Sequence, residues 1–498
     1  MRITPTNLRP PLFEPILKLS VLSFLLVALL CPGATKLVRA DDSWPSFRGD
    51  GSSIAYTSLP QHWSPEAGIT WRMEIPGYGQ SAPVIWKNSI YVTSSDGPFQ
   101  EKCQIHAFSL DDGRKRWTRE IAATTPVENY FRNSRAAPTC AVDADAVYSF
   151  FASGDVTAMT HAGEVLWSLP LFQRFGEVDN ERGIASSLAQ TDELLIVVID
   201  HHGPSYIAAI RKSDGELAWK TERGKRLPSW SSPVLARHED QAVVVISSAD
   251  TVDAYDVKTG QTLWQLDGLK GNHIPSASVV GNRIYIGSTT MYGGEQDPDA
   301  VAGSNCCIEL INEPGKPGYR VLWGAERANS YYSTPLAFAG YVYYVNKVGV
   351  LYCIQAETGA QVFAKRIGNP CWASALGVTD ANGESLVYFV SRNGMTLILR
   401  PGDEYNLVAR NQLWDTEEMT QAASDAQALR KSNKVPEAQA KPKTGPELVF
   451  AGMPERQLHE MFSYGDPTVY GIAAASGSLI IRTGQHLYCI RQADTRKQ

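Results

Sequence analysis

Large polar and aromatic side chains recur at one position of a repeated pattern, directly before a patch of small residues that opens an apolar strand. The eight residues at this position are Gln80, Arg135, Ile184, Trp230, Pro275, Tyr332, Trp372 and Tyr470. If the eight patches are equivalent, these side chains surround one point. Four aromatic rings and a guanidinium at such a point could hold a planar anion. The alternative is structural, because large side chains also fill a narrow channel.

Two other groups near the third patch carry metal-ligating atoms. Oxygen-bearing side chains precede the patch at Glu177, Asp179, Asn180 and Glu181. Calcium needs about 6–8 oxygen ligands, so this run alone predicts a solvated loop rather than a site. His201 and His202 are adjacent, and neighbours on a strand point to opposite faces, so they cannot both bind one metal from regular geometry. We therefore expect a turn here, with one histidine lining the mouth as the alternative, and no metal site.

The cysteines form no recognisable metal or haem motif. Seven follow residue 40, with none in a C-x-x-C pair and no C-x-x-C-H haem attachment sequence. An odd number in an exported chain implies at least one free thiol, and the pairing cannot be assigned. Cys306 and Cys307 are adjacent on an expected strand, which favours two thiols packed on opposite faces over a vicinal disulfide.

Common catalytic signatures are also missing from the chain. There is no G-x-S-x-G elbow, no Walker A loop, no H-E-x-x-H and no protein-kinase set. These absences favour a binding protein over an enzyme and leave a cofactor-dependent dehydrogenase as the alternative. The candidate ligand-binding residues at the mouth are Gln80, Arg135, Glu181, His201, His202, Trp230, Tyr332, Trp372 and Tyr470.

A second repeated motif indicates which elements position these residues. An apolar strand ends in a glycine turn, and a tryptophan follows a few residues later, as in VDAYDVKTGQTLW ending at Trp264. The tryptophans of this kind are Trp71, Trp117, Trp167, Trp219, Trp264 and Trp323. A period near 45 residues with several short strands per unit is typical of a β-propeller. The fold class is therefore all-β, with four-stranded antiparallel blades.

The small-residue patches number eight, which predicts eight blades. The last copy stops near the C-terminus without its outer strand, whereas GITWRMEI, residues 68–75, lacks a first half. We predict that residues 69–75 close the ring as the outer strand of blade 8, since closure removes exposed sheet edges. Blades 1–7 then occupy 69–414 and blade 8 occupies 463–492. Residues 41–68 form an N-terminal extension and 493–498 a tail.

Residues 415–462 do not fit the repeat. The segment is rich in Ala, Glu, Gln and Lys and poor in β-branched residues. It predicts a charged, helical and partly disordered insertion. The segment is either a tolerated insertion or an element that docks a partner.

The first forty residues predict a signal peptide. Basic residues precede an apolar run from Leu19 to Leu30, and Val38-Arg39-Ala40 offers a small-residue cleavage site. The run is shorter than the ~20 residues that a membrane span needs. Without this segment the formal charge falls from −6 to −10, which argues against nucleic acid as a partner. We expect a periplasmic, cell-envelope or secreted protein with no transmembrane span after cleavage.

The A-x-D-x-x-T-G-x-x-x-W pattern, complete from Ala254 to Trp264, resembles the repeat of quinoprotein-type, PQQ-like β-propellers. The resemblance covers roughly residues 44–492 and implies that each tryptophan docks on the neighbouring blade. Enzymes of this family use PQQ with calcium, but their catalytic aspartate and calcium ligands have no counterparts here. The chain is also similar in architecture to BamB proteins, which share the eight-blade repeat and bind no quinone.

Together these observations predict an exported, non-catalytic binding or scaffold propeller that engages a protein or envelope component. No cofactor is expected. A PQQ- and calcium-dependent oxidoreductase and a carbohydrate-binding propeller, in which aromatic rings stack on sugars, are the alternatives.

Overall fold

The computed structural model describes residues 42–96, 102–125, 133–180, 182–239, 241–271, 274–290, 298–313, 316–415 and 467–492. The predicted signal peptide, nearly all of the predicted insertion and the tail lie outside these residues. Among the described residues, no helix combines the length and apolar character needed to cross a bilayer.

Almost all regular secondary structure in the described chain is β-strand. In its first half the strands are β1 (Ser43–Trp44), β2 (Ile54–Ala55), β3 (Ile69–Glu74), β4 (Val84–Trp86), β5 (Ser89–Asp96), β6 (Lys102–Ser109), β7 (Lys115–Ile121), β8 (Ala141–Val142), β9 (Val147–Phe150), β10 (Asp155–Met159), β11 (Val165–Pro170), β12 (Ala189–Gln190), β13 (Leu194–Ile199), β14 (Pro204–Arg211), β15 (Leu217–Lys225), β16 (Val234–His238), β17 (Gln241–Ser248), β18 (Thr251–Asp256) and β19 (Thr262–Asp267). In its second half they are β20 (Ser278–Val280), β21 (Arg283–Tyr285), β22 (Cys306–Glu313), β23 (Lys316–Gly324), β24 (Leu336–Phe338), β25 (Tyr341–Val345), β26 (Val350–Gln355), β27 (Gln361–Arg366), β28 (Leu376–Thr379), β29 (Ser385–Val390), β30 (Met395–Arg400), β31 (Asn406–Gln412), β32 (Gly471–Ala475), β33 (Ser478–Arg482) and β34 (His486–Arg491). Two short helices, α1 (Leu171–Phe175) and α2 (Pro298–Gly303), lie between strands.

These strands form eight antiparallel four-stranded blades arranged as a propeller, which confirms the predicted fold class. Blades 1–7 take four consecutive strands each, from β4 to β31, and blade 8 takes β32–β34. The fourth strand of blade 8 is β3, which pairs antiparallel with β34 through Trp71↔Cys489 and Met73↔Leu487. The prediction that an N-terminal strand closes the last blade is therefore confirmed.

Burial along the strands reflects their place within each blade. Middle strands such as β13 and β33 are buried along nearly their whole length, because neighbouring blades cover both faces. The outer strand β3 instead alternates between half-buried and exposed positions, the pattern of a strand with one covered face. The core is thus a series of apolar layers between adjacent blades.

The motif tryptophans connect each blade to the next. Trp219 of blade 3 donates its indole N–H to the Val257 carbonyl of blade 4 at 2.9 Å. Trp71, Trp117, Trp167 and Trp323 make the equivalent bond to the following blade at 2.8–3.1 Å. Trp264 differs, since it packs on Tyr319 of blade 5 with ring centroids 4.8 Å apart. All six tryptophans therefore contact the next blade around the ring.

A buried ionic network joins blades 3 and 4 as well. The fully buried Arg223 guanidinium lies 2.8 Å from an Asp200 oxygen and 3.0 Å from an Asp253 oxygen. It also donates to the Tyr255 hydroxyl at 2.6 Å. Such a network stabilises only while every member is paired, so it specifies how these blades align.

The N-terminal extension continues into the ring. Strand β1 pairs antiparallel with the inner strand of blade 1, through Trp44↔Ile85. Strand β2 pairs in parallel with the inner strand of blade 7, through Ile54↔Gly377. Each pairing adds a fifth strand on the axis side of a blade. Residues 43–58, which include both strands, are called the axial segment below.

Hydrogen bonds tie the axial segment to blades 2, 3, 5 and 8 too. The bonded pairs are Val142 N with Pro45 O at 2.8 Å, Gln190 Nε2 with Pro45 O at 3.0 Å, Arg48 Nη1 with Ala277 O at 2.8 Å, and Gly477 N with Thr57 Oγ1 at 3.0 Å. In each of these blades, the bonded residue follows the large residue that precedes the small-residue patch. It therefore lies farther along the blade than the start of the inner strand. The segment therefore fills the channel beyond the point where the inner strands begin.

Candidate functional site

A cavity of about 230 Å³ lies where the inner strands begin. It is called the axial cavity, and all eight blades contribute to its wall. The described residues that line it are Gln80, Asn133, Ala137, Arg182, Ala185, Trp230, Ile274, Tyr332, Trp372 and Tyr470. Convergence of eight blades on one concave site is the geometry expected of a propeller's binding mouth.

One side of the axial cavity is an aromatic wall. The rings of Tyr332 and Trp372 meet edge to face with centroids 5.1 Å apart, and Trp372 lies 5.6 Å from Tyr470. Tyr78 extends the row, with its hydroxyl 2.5 Å from that of Tyr470. Edge-to-face contacts of this kind are favourable in their own right and hold the rings in fixed orientations.

The opposite side of the axial cavity is more polar. Asn133 donates its side-chain N–H to the Arg182 carbonyl at 2.8 Å, and the Trp230 indole donates to Gly183 at 3.0 Å. The Arg182 guanidinium carbon lies 5.6 Å from the centre of the Trp230 ring. Gln80 accepts a bond from the backbone N–H of Ser134 at 2.9 Å. Bonds between connectors of different blades thus position the polar side chains.

The structure brings together five of the nine residues predicted at the mouth. These are Gln80, Trp230, Tyr332, Trp372 and Tyr470. Each is the large side chain directly before its small-residue patch, where the repeat places equivalent positions. Glu181 lies outside the described residues.

Arg135, His201 and His202 were predicted at the mouth, but they are not among the described residues that line the cavity. Arg135 lies in a turn closed by a bond from the Ala137 N–H to the Ser134 carbonyl at 3.1 Å, and Asn133 and Ala137 line the cavity on either side of it in the sequence.

The two histidines differ in environment, as expected of a turn. His201 is 2% exposed, and its Nδ1 accepts backbone N–H bonds from Asp179 and Gly203, both at 3.1 Å. His202 is exposed and donates its backbone N–H to the Asp179 carbonyl at 3.0 Å. Both residues therefore organise their own loop.

Sequence reasoning missed Asn133, Ala137, Arg182, Ala185 and Ile274 as members of the wall. All five lie one or two residues away from the repeat position of their blade. Arg182 carries the one available signal, since it is a cationic side chain three residues before the third patch. The number of residues between the lining residue and the repeat position depends on the shape of the connector, which the repeat pattern does not encode.

The described residues of the axial cavity do not fit a calcium-bound quinone. Calcium requires several oxygen ligands, and a quinone dehydrogenase needs a carboxylate base. The described lining has no carboxylate. Elsewhere in the described chain, no group of three or more His, Cys, Asp or Glu side chains is arranged to hold a metal ion.

The adjacent cysteines do not form a disulfide. Cys306 packs in the core between blades 4 and 5, and Cys307 packs on the opposite face with Tyr285 and Trp323. Burial raises the pKa of each thiol to about 12, so both are protonated at neutral pH. They are packing residues, as the alternation of a strand predicts.

The repeat sequence matches a known family. A model described as outer membrane protein assembly factor BamB matches residues 63–197 and 173–296. The chain is a BamB-like propeller with PQQ-type repeats. It is 26% identical over 231 residues to BamB of Burkholderia pseudomallei, covering 45% of this chain and 54% of that protein. It is 24% identical over 204 residues to BamB of Shewanella oneidensis, covering 38% and 47% respectively.

The match spans about half the length of these curated relatives. A solved BamB structure from Moraxella catarrhalis superimposes with a TM-score of 0.52 at 11% identity, covering 86% of this chain and 99% of that one. At this identity the likeness shows the fold alone. The BamB-like character therefore rests on the repeat sequence and the blade architecture together.

Proposed function

We propose that this chain is an exported, non-catalytic scaffold that engages a protein or another component of the cell envelope. The observation that carries the proposal is the match of its repeats to proteins named as outer membrane protein assembly factors. The lack of common catalytic motifs in the sequence supports a binding role over catalysis. The net charge without the first forty residues is −10, which disfavours nucleic acid as the partner.

The face that carries the axial cavity is the better candidate for the partner surface. Connectors between blades leave on this face, and several are long: nineteen residues separate β7 from β8, and fifty-eight separate β31 from β32. On the other face, turns between strands are short, such as the two residues between β4 and β5. Binding residues concentrate on long loops that a rigid scaffold positions.

Site-specific photocrosslinking in the producing cells tests this assignment. A photoreactive amino acid at exposed Lys347 or Arg392 lies on the cavity face, whereas one at exposed Glu193 or Asp214 lies on the opposite face. We expect discrete adducts with envelope proteins from the first pair and none from the second. Equal adducts from both faces, or adducts only from the second pair, would refute the assignment.

Export is tested separately by the mature N-terminus. We expect the protein recovered from the envelope fraction to begin at Asp41, because the V-x-A site precedes that residue. A chain that retains Met1 and stays in the cytoplasmic fraction would contradict the proposal at this step, whatever its partner.

Of the two alternatives, the PQQ- and calcium-dependent oxidoreductase is disfavoured by the lining of the axial cavity, which offers calcium no carboxylate among its described residues. Thermal unfolding with PQQ and calcium, together and separately, tests this alternative. A rise in melting temperature that requires both would support the oxidoreductase. The aromatic wall of the axial cavity is compatible with the carbohydrate-binding alternative, and N-acetylglucosamine is used below to test it.

A further inference from the structure

We propose that the axial cavity binds a small organic anion, a flat ring that carries a carboxylate, without a metal ion. This goes beyond the scaffold role, which needs no small-molecule ligand. The proposal rests on the charge, the wall and the size of the cavity, all formed by described residues.

The charge of the described wall has one sign. Arg182 is its charged member, and a second guanidinium, that of Arg392, lies 5.9 Å from the ring centre of the wall residue Trp372. Each of the two wall tryptophans thus carries an arginine over its ring. A guanidinium has five N–H donors in a planar fork, so it can donate to a carboxylate while it keeps other contacts. The complementary ligand is an anion.

The aromatic side chains of the wall favour an apolar ring as the body of that anion. Tyr332 and Tyr470 lie on either side of Trp372, at 5.1 Å and 5.6 Å, and form a continuous apolar surface. One face of Trp230 and one face of Trp372 are occupied by guanidinium groups. Fewer open aromatic faces remain for a neutral sugar ring, whereas an aromatic carboxylate can use both the rings and the cations.

The size of the axial cavity limits the ligand. At about 230 Å³ it is smaller than the roughly 300–1,000 Å³ of pockets for drug-sized compounds, which points to one or two rings. The axial segment fills the channel beyond the cavity. We therefore infer that the ligand enters and leaves by the face on which the blade connectors lie.

Isothermal titration calorimetry of the chain from Asp41 onward, in buffer with EDTA, tests the proposal. The probes are benzoate, its neutral isostere benzamide, and N-acetylglucosamine. We expect benzoate to bind about tenfold or more tightly than benzamide, the difference that one charge-assisted hydrogen bond supports. N-acetylglucosamine should bind more weakly than benzoate.

Two variants test whether the preference for benzoate over benzamide depends on Arg182. R182Q should abolish the preference for benzoate over benzamide. R366Q removes the same charge from the outer strand β27 and should keep the preference.

Several results would overturn the proposal. Equal binding of benzoate and benzamide, no heat from benzoate at millimolar concentration, or tighter binding of the sugar would each do so in the wild-type protein alone. A preference retained in R182Q would place the anion elsewhere. A requirement for calcium would refute the metal-free site, whereas failure of the face-specific crosslinks would leave this proposal intact.

Discussion

Among the described residues, five of the six docking tryptophans (Trp71, Trp117, Trp167, Trp219 and Trp323) meet a glycine of the next blade. Gly260 has φ +71°, and a Cβ atom there would come within 2.4 Å of the Trp219 ring. Gly215 has φ +75° and faces Trp167 at 2.6 Å in the same way. The glycine in the repeat is thus required by backbone conformation and by contact with an aromatic ring, which explains why the turn and the tryptophan recur together.

This arrangement predicts different costs for two glycine substitutions. G260A should lower the free energy of unfolding by about 2–4 kcal/mol, because it adds overpacking against Trp219 to an unfavourable φ. Gly224 has the same φ of +71°, but a Cβ atom added there would meet no neighbour within 4 Å, so G224A should cost only about 1 kcal/mol. Urea unfolding measures both, and equal losses would show that the ring contact is unimportant.

Buried histidine predicts a loss of stability in acid. His106 is fully buried between the Ser94 and Thr118 hydroxyls, at 2.7 and 2.9 Å, and burial lowers its pKa to about 3. In the unfolded chain this histidine has a pKa near 6.5. Below that pH the unfolded chain binds a proton at His106, whereas the folded chain does not until the pH approaches 3. Stability should therefore fall as the pH drops from 6.5 towards 3, by up to about 1.4 kcal/mol per unit from this residue.

The variant H106Q isolates that contribution. Its free energy of unfolding should be lower at pH 7, because packing changes, but should depend less on pH between 6.5 and 4 than that of the wild-type protein. Urea unfolding at several pH values provides the comparison. The same pH slope in both proteins would assign acid sensitivity to other groups.

At the scale of elements, the axial segment links blades that are far apart in sequence. Arg48 is 3% exposed and bonds to the Ala277 carbonyl at 2.8 Å and to the Ser278 hydroxyl. Burial disfavours the charged form and lowers the pKa of this guanidinium. These hydrogen bonds offset part of that cost, so the residue positions the segment against blade 5.

Removal of this side chain should destabilise the protein. R48M leaves the buried Ala277 carbonyl without its donor and should cost about 1–3 kcal/mol. Arg116 is the matched control, since it also donates to two acceptors, Ser89 and Asn88, but is exposed. R116M should change stability by less than about 0.5 kcal/mol in denaturant unfolding. Similar losses for both variants would mean that burial on the axis adds nothing.

At the scale of the whole molecule, ring closure covers the outer edge of the last blade. Without β3, strand β34 would present unpaired backbone groups, which favour pairing with another chain. Two truncated chains test this idea, one that begins at residue 59 and one that begins at residue 76. Both lack the axial segment, and only the second also lacks β3.

The chain that begins at residue 59 should remain monomeric in light scattering, whereas the chain that begins at residue 76 should self-associate. If both remain monomeric, closure is not what protects the edge. If both self-associate, the axial segment rather than β3 is the critical element.

Much of this architecture follows from the sequence alone. The eight patches, the glycine–tryptophan motif and the incomplete last copy predict the eight blades and the closing strand, because strand alternation and turn chemistry are local properties. Position in the repeat also predicted that Gln80, Trp230, Tyr332, Trp372 and Tyr470 lie near one another, and they line one cavity, since equivalent positions in a ring converge on its axis.

Only the tertiary structure decided the rest. Arg182 and Asn133 enter the wall, and Arg135 does not, because connector shape sets which side chain faces the axis. The path of the axial segment could not be predicted from the sequence either, since Arg48 donates hydrogen bonds to residues 229 and 230 positions away. A repeat pattern reports local geometry, whereas these contacts depend on where the ring brings distant blades together.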